Sequence, residues 1–142
     1  MKRTAEARWN GGLMKGTGSM RLGSGAYEGK YSFGSRFEEA PGTNPEELIG
    51  AAHAGCFSMA LSGALGKEGH DPHSVETRAV VHLEKQEAGF AITGIRLTTL
   101  AVVPDISTEE FLRIAEAAKL NCPVSRALAS VPIELDASLS GG

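Results

Sequence analysis

The stretch TNPEELIGAAHAGCFSMALSGALGKEG, Thr43 to Gly69, decides how the rest of the chain must be arranged. Asn44 can cap a helix, Pro45 suits the first helical position, and Glu46 and Glu47 put negative charge where free amides and the helix dipole favour it. The predicted helix runs to about Lys67, because Gly69 can take the left-handed conformation that closes a helix and no proline intervenes. From Ile49 to Leu65 it has no formal charge and is apolar or small all round, with Ala51, Ala52, Ala54, Gly55, Cys56, Ser58 and Ala60 in close succession. A helix of that kind is expected to be buried on every side, under elements that can approach its small side chains closely. His53 and Cys56, one helical turn apart, are the reactive groups at its centre.

The remaining elements must cover this helix. At 142 residues the chain matches the commonest domain size, and a single domain, 1–142, is expected. The net charge is −3 and the pI about 5.8, with lysines and arginines scattered rather than clustered, which argues against nucleic acid and anionic membrane as partners. The opening MKRTAEARWNGG is charged and then alternating, without the apolar region of a secretory signal, so a cytoplasmic protein is expected. The uncharged part of the central helix is short for a membrane span and diluted by Gly, Ser and His, so it reads as a core helix. In a reducing compartment Cys56 and Cys122 are not expected to form a permanent structural disulfide, and are either inert or chemically active.

Upstream of the helix, Ala5, Ala7 and Trp9 alternate with Glu6 and Arg8, and Asn10-Gly11 signals a hairpin into a second strand, Leu13 to Leu22. Lys30 to Phe37 puts Tyr31 and Phe33 on one face and reads as a third strand, and Pro41-Gly42 centres the turn that delivers the chain into the helix. Downstream, Val75 to Leu83 alternates clearly, and Phe90 to Val103 alternates with a change of parity at Gly94, as a β-bulge requires. Ser107 with Glu110 predicts a capping box for a helix bearing Phe111, Ile114, Ala115 and Ala118 on one stripe and ending near Leu120. A short helix is predicted to start around Asn121-Cys122-Pro123, followed by a strand through Val131, Ile133 and Leu135 and a frayed tail, Ser138 to Gly142.

The chemistry rests on few residues. A thiol at a helix amino terminus sees unpaired amides and the positive end of the dipole, which lower its pKa, and Cys122 is placed for that. Cys56, in the middle of an apolar helix, has a raised pKa and little reactivity unless a cation is brought to it. By residue type alone Cys56 is a plain buried side chain, His53 a packed core histidine, and Arg36 and Glu46 surface charges. His53, Cys56 and Cys122, with His70 or His73, could also form a zinc site, although no CxxC or HExxH pattern supports it. Hydrolytic cysteine catalysis would need an activating histidine and an oxyanion hole that the local sequence does not mark. A non-enzymatic domain using an apolar groove to bind a ligand or partner is the remaining alternative, and its two thiols would be inert.

Two longer runs separate these readings. RFEEAPGTNPEELIGAAHAGCFSMALS, from Arg36, and NCPVSRAL, from Asn121, resemble the two signature segments of the OsmC/Ohr family, the osmotically inducible and organic hydroperoxide resistance proteins. The order of elements also fits, so the resemblance covers essentially the whole chain; Arg36, just ahead of the helix rather than farther upstream, favours the OsmC branch. The resemblance implies a thiol-dependent peroxidase of the oxidative and osmotic stress response, reducing organic hydroperoxides and, as a further substrate, hydrogen peroxide. It implies Cys56 as the peroxidatic cysteine, Cys122 as the resolving cysteine, and Arg36 and Glu46 as the charged pair that serves the site. It implies no cofactor or metal, a lipoyl-type dithiol as reductant, and no functional role for His53. The implied fold is α+β, with antiparallel strands wrapped around two central helices in an intertwined homodimer.

Physical reasoning agrees with these roles. The planar, permanently charged Arg36 fork can stabilise a thiolate and hold a peroxide oxygen, with Glu46 fixing its position. Glu46 and Cys56 are ten residues apart, which in a continuous helix is about 15 Å of rise. If the pair serves Cys56, it is therefore expected to come from the partner chain.

Overall fold

The computed structural model describes residues 1–140. Among these residues the order is β1 (Ala5–Asn10), β2 (Thr17–Leu22), β3 (Glu28–Tyr31), α1 (Phe33–Phe37), α2 (Pro45–Lys67), β4 (Ser74–Gln86), β5 (Gly89–Val102), α3 (Thr108–Asn121), α4 (Pro123–Ala127) and β6 (Ile133–Leu139). The chain divides into two units, Met1–Leu48 and Ile49–Gly142, with the boundary one turn inside α2.

In the first unit β1, β2 and β3 form an antiparallel sheet in sequence order, with Ala7 opposite Met20 and Gly18 opposite Tyr31. Asn10-Gly11 does begin a turn, with Gly11 at φ 90°, but the connection is longer than the expected hairpin. The Gly16 N–H closes it by donating to the Gly12 carbonyl at 2.7 Å, and β2 starts only at Thr17. The strand expected over Lys30 to Phe37 is half wrong. Ser32 Oγ accepts from the Ser35 N–H at 3.1 Å while Ser35 Oγ accepts from the Ser32 N–H at 2.9 Å, and this reciprocal cap turns Phe33–Phe37 into the short helix α1. Arg36 therefore sits on a helix. Ser35 Oγ also donates to the Thr43 carbonyl at 2.7 Å, tying α1 to the entrance of α2. Gly42, at φ 135°, makes the turn between them; a Cβ there would meet the Lys30 carbonyl at 2.8 Å.

The limits predicted for α2 hold. Asn44 Oδ1 accepts from the Glu47 N–H at 2.8 Å, and past Lys67 the chain turns through Gly69, at φ 88°, with the His70 N–H donating to the Leu65 carbonyl at 2.9 Å. In the second unit α2 contributes the buried stripe His53, Phe57, Leu61 and Leu65, at the four-residue spacing that keeps side chains on one face. These meet Phe111, Ile114, Ala115 and Ala118 of α3, and Ile95, Leu97 and Ala101 of β5, in the core. Removing a Leu or Phe side chain of this kind from water contributes about 1.5–3 kcal/mol. A half-buried hydroxyl chain fixes α2 to the sheet: Ser58 donates to Thr77 at 2.8 Å, Thr77 and Thr99 share a bond at 2.9 Å, and Thr99 donates to the Glu76 carbonyl at 2.9 Å.

β4 and β5 pair antiparallel with the expected bulge: His82 faces Gly94 but Leu83 faces Ile92, so Thr93 is the extra residue. Two expectations need correction here. β6 pairs with β5 in parallel, Ile95 opposite Ile133 and Ala101 opposite Leu139, so the strands are not all antiparallel. β6 also runs on to Leu139, and the Ser140 N–H donates to the Ala101 carbonyl at 2.8 Å, so the tail is ordered up to there; Gly141 and Gly142 lie outside the described residues. Of the box expected at the start of α3 the serine half forms, Ser107 Oγ accepting from the Glu110 N–H, whereas the Glu110 carboxylate lies 3.6 Å from His70.

α2 is long and apolar enough to cross a membrane by length and composition, yet its buried stripe makes the core of the second unit. It is not covered on every side within one chain. Ala52, Gly55, Gly63 and Met59, the last 79% exposed, form an open face of small and apolar residues.

Candidate active site

α2 and α4 bring the two cysteines together. Cys56 lies in the middle of α2, and Cys122 is the residue that joins α3 to α4, completely buried, with Pro123 at the first position of α4 as the sequence predicts. Their sulfurs share a hydrogen bond at 3.0 Å although the residues are 66 positions apart, and both thiols are free. That separation exceeds a disulfide bond by about 1 Å.

The two thiols differ electrostatically. Burial raises the Cys56 pKa, the hydrogen bond to Cys122 raises it further, and the Val124 amide opposes them only in part. Cys122 is also penalised by burial, but its bond with Cys56, the Ser125 amide and hydroxyl and the Val124 amide together hold it below its ordinary value. The sulfur does not complete a cap hydrogen bond of ordinary geometry on α4, so these groups act as partial positive charges turned towards it. Within one chain Cys122 is therefore shifted towards the thiolate and Cys56 towards the thiol.

Arg36 and Glu46 are likewise brought together, in the first unit. Arg36 Nη2 donates to Glu46 Oε1 at 2.8 Å, and its Nε lies 3.2 and 3.3 Å from the two carboxylate oxygens. The Glu46 side chain is nearly buried while that of Arg36 remains 37% exposed, and the guanidinium stacks over the Phe37 ring at 5.1 Å. The pair is a positioned, half-open cation whose partner fixes its plane. It flanks a cleft of about 220 Å³ lined by Trp9, Leu13, Tyr31, Ser32, Phe33, Arg36 and Phe37, which is mostly aromatic and apolar.

His53, set aside by residue type, is fully buried, and its Nε2 lies 2.7 Å from Ser125 Oγ. Ser125, 4% exposed, is the residue the sequence reading missed. A signal for it exists, because a histidine in the stripe His53, Phe57, Leu61, Leu65 must find a polar partner once buried. The zinc alternative gains nothing from the geometry: among the described residues no group of three His, Cys, Asp or Glu is arranged to hold a metal ion.

A thiol pair close to bonding distance, in an apolar core on an α+β scaffold, is a site suited to thiol redox chemistry. Residues 37–136 match the family model described as OsmC-like protein. The chain is 49% identical over 135 residues to peroxiredoxin OsmC of Escherichia coli (strain K12), covering 94% of each protein. It is 36% identical over 92 residues to the organic hydroperoxide resistance protein OhrB of Bacillus subtilis (strain 168), covering 63% of this chain and 65% of that protein. The crystal structure of Bacillus subtilis OhrB superimposes with a TM-score of 0.74 at 27% identity, covering 95% of this chain and 98% of the other. An OsmC-like protein from Mycoplasma pneumoniae shares the fold, with a TM-score of 0.78 at 13% identity over 99% of both chains. The chain belongs to the OsmC-like protein family.

Proposed function

We propose that this protein is a thiol-dependent peroxidase that reduces organic hydroperoxides, with hydrogen peroxide as a further substrate. The observation that carries the proposal is the 3.0 Å approach of Cys56 and Cys122 in an apolar core, and the names of the peroxiredoxin and hydroperoxide-resistance relatives support the substrate class. The Cys56 thiolate attacks the O–O bond; one oxygen stays as a sulfenic acid and the other leaves, with a proton, as the alcohol. Cys122 then displaces the sulfenic oxygen as water and forms the disulfide. An external dithiol, in our reading of the lipoyl type, reopens it by exchange. The cysteines carry both electrons, so the cycle calls for no metal, flavin or haem.

In this reading Arg36 supplies the cation that Cys56 needs and Glu46 holds its fork in place. The half-open guanidinium and the apolar cleft beside it suit a peroxide oxygen and its carbon chain. α2 is unbroken from Pro45 to Lys67, and so Glu46 and Cys56 are about 15 Å apart along it. We therefore assign Arg36 and Glu46 to the partner subunit of a cytoplasmic homodimer in which residues 1–142 act as one domain. The open face of α2 at Ala52, Gly55, Met59 and Gly63 supports such a dimer, because two helices with small side chains can approach closely there.

The test is to add one equivalent of cumene hydroperoxide to the reduced protein and follow its mass. Wild type should lose two hydrogens and both thiols. Cys122→Ser should gain one oxygen and stop, and Cys56→Ser should not react. A Cys122→Ser protein as inert as Cys56→Ser would overturn the assigned roles.

A further inference from the structure

The buried histidine and serine beside the thiol pair are used by no step of the proposed cycle. His53 lies on the core-facing stripe of α2, three residues before Cys56, yet its ring turns to α4, where Nε2 is 2.7 Å from Ser125 Oγ. Its Nδ1 is buried and has no hydrogen-bond partner among the described residues. This orphan atom selects the tautomer. A buried N–H donor without an acceptor costs more than a ring nitrogen whose lone pair is unused, so the proton sits on Nε2 and Nδ1 is bare. His53 Nε2–H then donates to Ser125 Oγ, which leaves the serine proton for another acceptor, and Ser125 stands in the first turn of α4, three residues after Cys122. Burial lowers the His53 pKa, which keeps the ring in this neutral form near pH 7.

We infer that His53 and Ser125 are positioning residues for the second half-reaction, forming a chain of donors, His53 Nε2–H to Ser125 Oγ–H to Cys122 Sγ, that readies Cys122 as the thiolate attacking oxidised Cys56. The direction of the chain matters. Each donor polarises the next, and the last one faces a sulfur that must carry negative charge to act. Cys122 is the residue before α4, Ser125 stands three residues on in the same turn, and the Cys56 sulfur lies 3.0 Å away; the groups of that turn and Cys56 favour negative charge on the Cys122 sulfur. In the step itself the Cys122 thiolate bonds to the Cys56 sulfur and the S–O bond of the sulfenic acid breaks. The oxygen leaves as hydroxide and takes up the proton that Cys122 had given to solvent, so one water is released, Cys56 sulfur is reduced and Cys122 sulfur is oxidised. This inference rests on the peroxidase reading for that step, but the state of the Cys122 thiol is measurable without it.

Two readouts separate the ideas. In a Cys56→Ser background, the pH dependence of Cys122 alkylation by iodoacetamide is compared for Ser125→Ala, Ser125→Thr, His53→Leu and His53→Gln. Ser125→Ala and His53→Leu should move the midpoint up by about one pH unit. Ser125→Thr, which keeps the hydroxyl, and His53→Gln, which keeps an N–H near the position of Nε2, should restore most of the difference. With both cysteines present, rapid mixing with cumene hydroperoxide should show Ser125→Ala forming the disulfide about tenfold more slowly, while loss of the Cys56 thiol keeps its rate. A folded Ser125→Ala protein with an unmoved alkylation midpoint and an unslowed disulfide step overturns the inference, and so does equal slowing of both steps. If wild type consumes no hydroperoxide, the peroxidase reading falls, and the alkylation series still decides whether His53 and Ser125 set the thiol.

Discussion

At the scale of single residues, the site separates two tasks that one cysteine could not perform. Burial raises the Cys56 pKa, whereas the groups at the start of α4 together with Cys56 lower that of Cys122; in the proposed cycle the first thiol waits for a cation and the second does not. His53 bears on stability as well as on the thiol. Burial places its pKa below the ordinary 6.5, so the unfolded chain binds a proton more readily than the folded one. The sign follows directly. The contribution is complete above pH 6.5 and is lost as pH falls through the lower folded value. Unfolding by urea at pH 7 and pH 5 should therefore show wild type losing more stability on acidification than His53→Gln, by up to about 1.4 kcal/mol per pH unit over that interval. Equal losses in the two proteins would show that His53 is not the group responsible.

At the scale of elements, short caps decide where chemistry can be placed. The Ser32–Ser35 reciprocal cap converts an alternating segment into α1, and that single turn carries Arg36 to Glu46. The connection to α2 depends on Gly42, whose φ of 135° is foreign to other residues and whose missing side chain leaves room for the Lys30 carbonyl. Gly42→Ala should cost roughly 1–3 kcal/mol in urea unfolding. It should also slow reaction of Cys56 with hydroperoxide, because the fork would lose its setting. A protein of unchanged stability would mean that the turn can relax around a methyl group.

At the scale of the whole molecule, the open face of α2 and the length of that helix lead to one test of the two-subunit site. Cys56→Ser and Arg36→Ala proteins, each expected to be inactive alone in the proposed reading, are unfolded together and re-assembled. In a mixed dimer the Cys56 of one chain meets the Arg36 of the other at one site only, so about half the wild-type activity per mixed dimer should return. Exchange is verified by mass. If exchanged dimers stay inactive, the site lies within one chain.

What the amino-acid sequence determined by itself was local. The limits of α2, the bulge opposite His82 and the place of Cys122 before Pro123 were all legible, because caps, alternation and proline act within a few residues. The two signature runs carried the family and, through it, the four residues now proposed for the site. Tertiary structure alone decided the rest. The parallel pairing of β6 joins strands far apart in the chain, and the alternation of Ile133 and Leu135 is the same for either direction. Tyr31 and Phe33 had the spacing of a strand, yet two serine hydroxyls offered the backbone a better set of hydrogen bonds. The link from His53 to Ser125 spans 72 positions. It exists because burying an imidazole in an apolar stripe requires a polar partner, and only the packing of α4 beside α2 determines which residue that partner is.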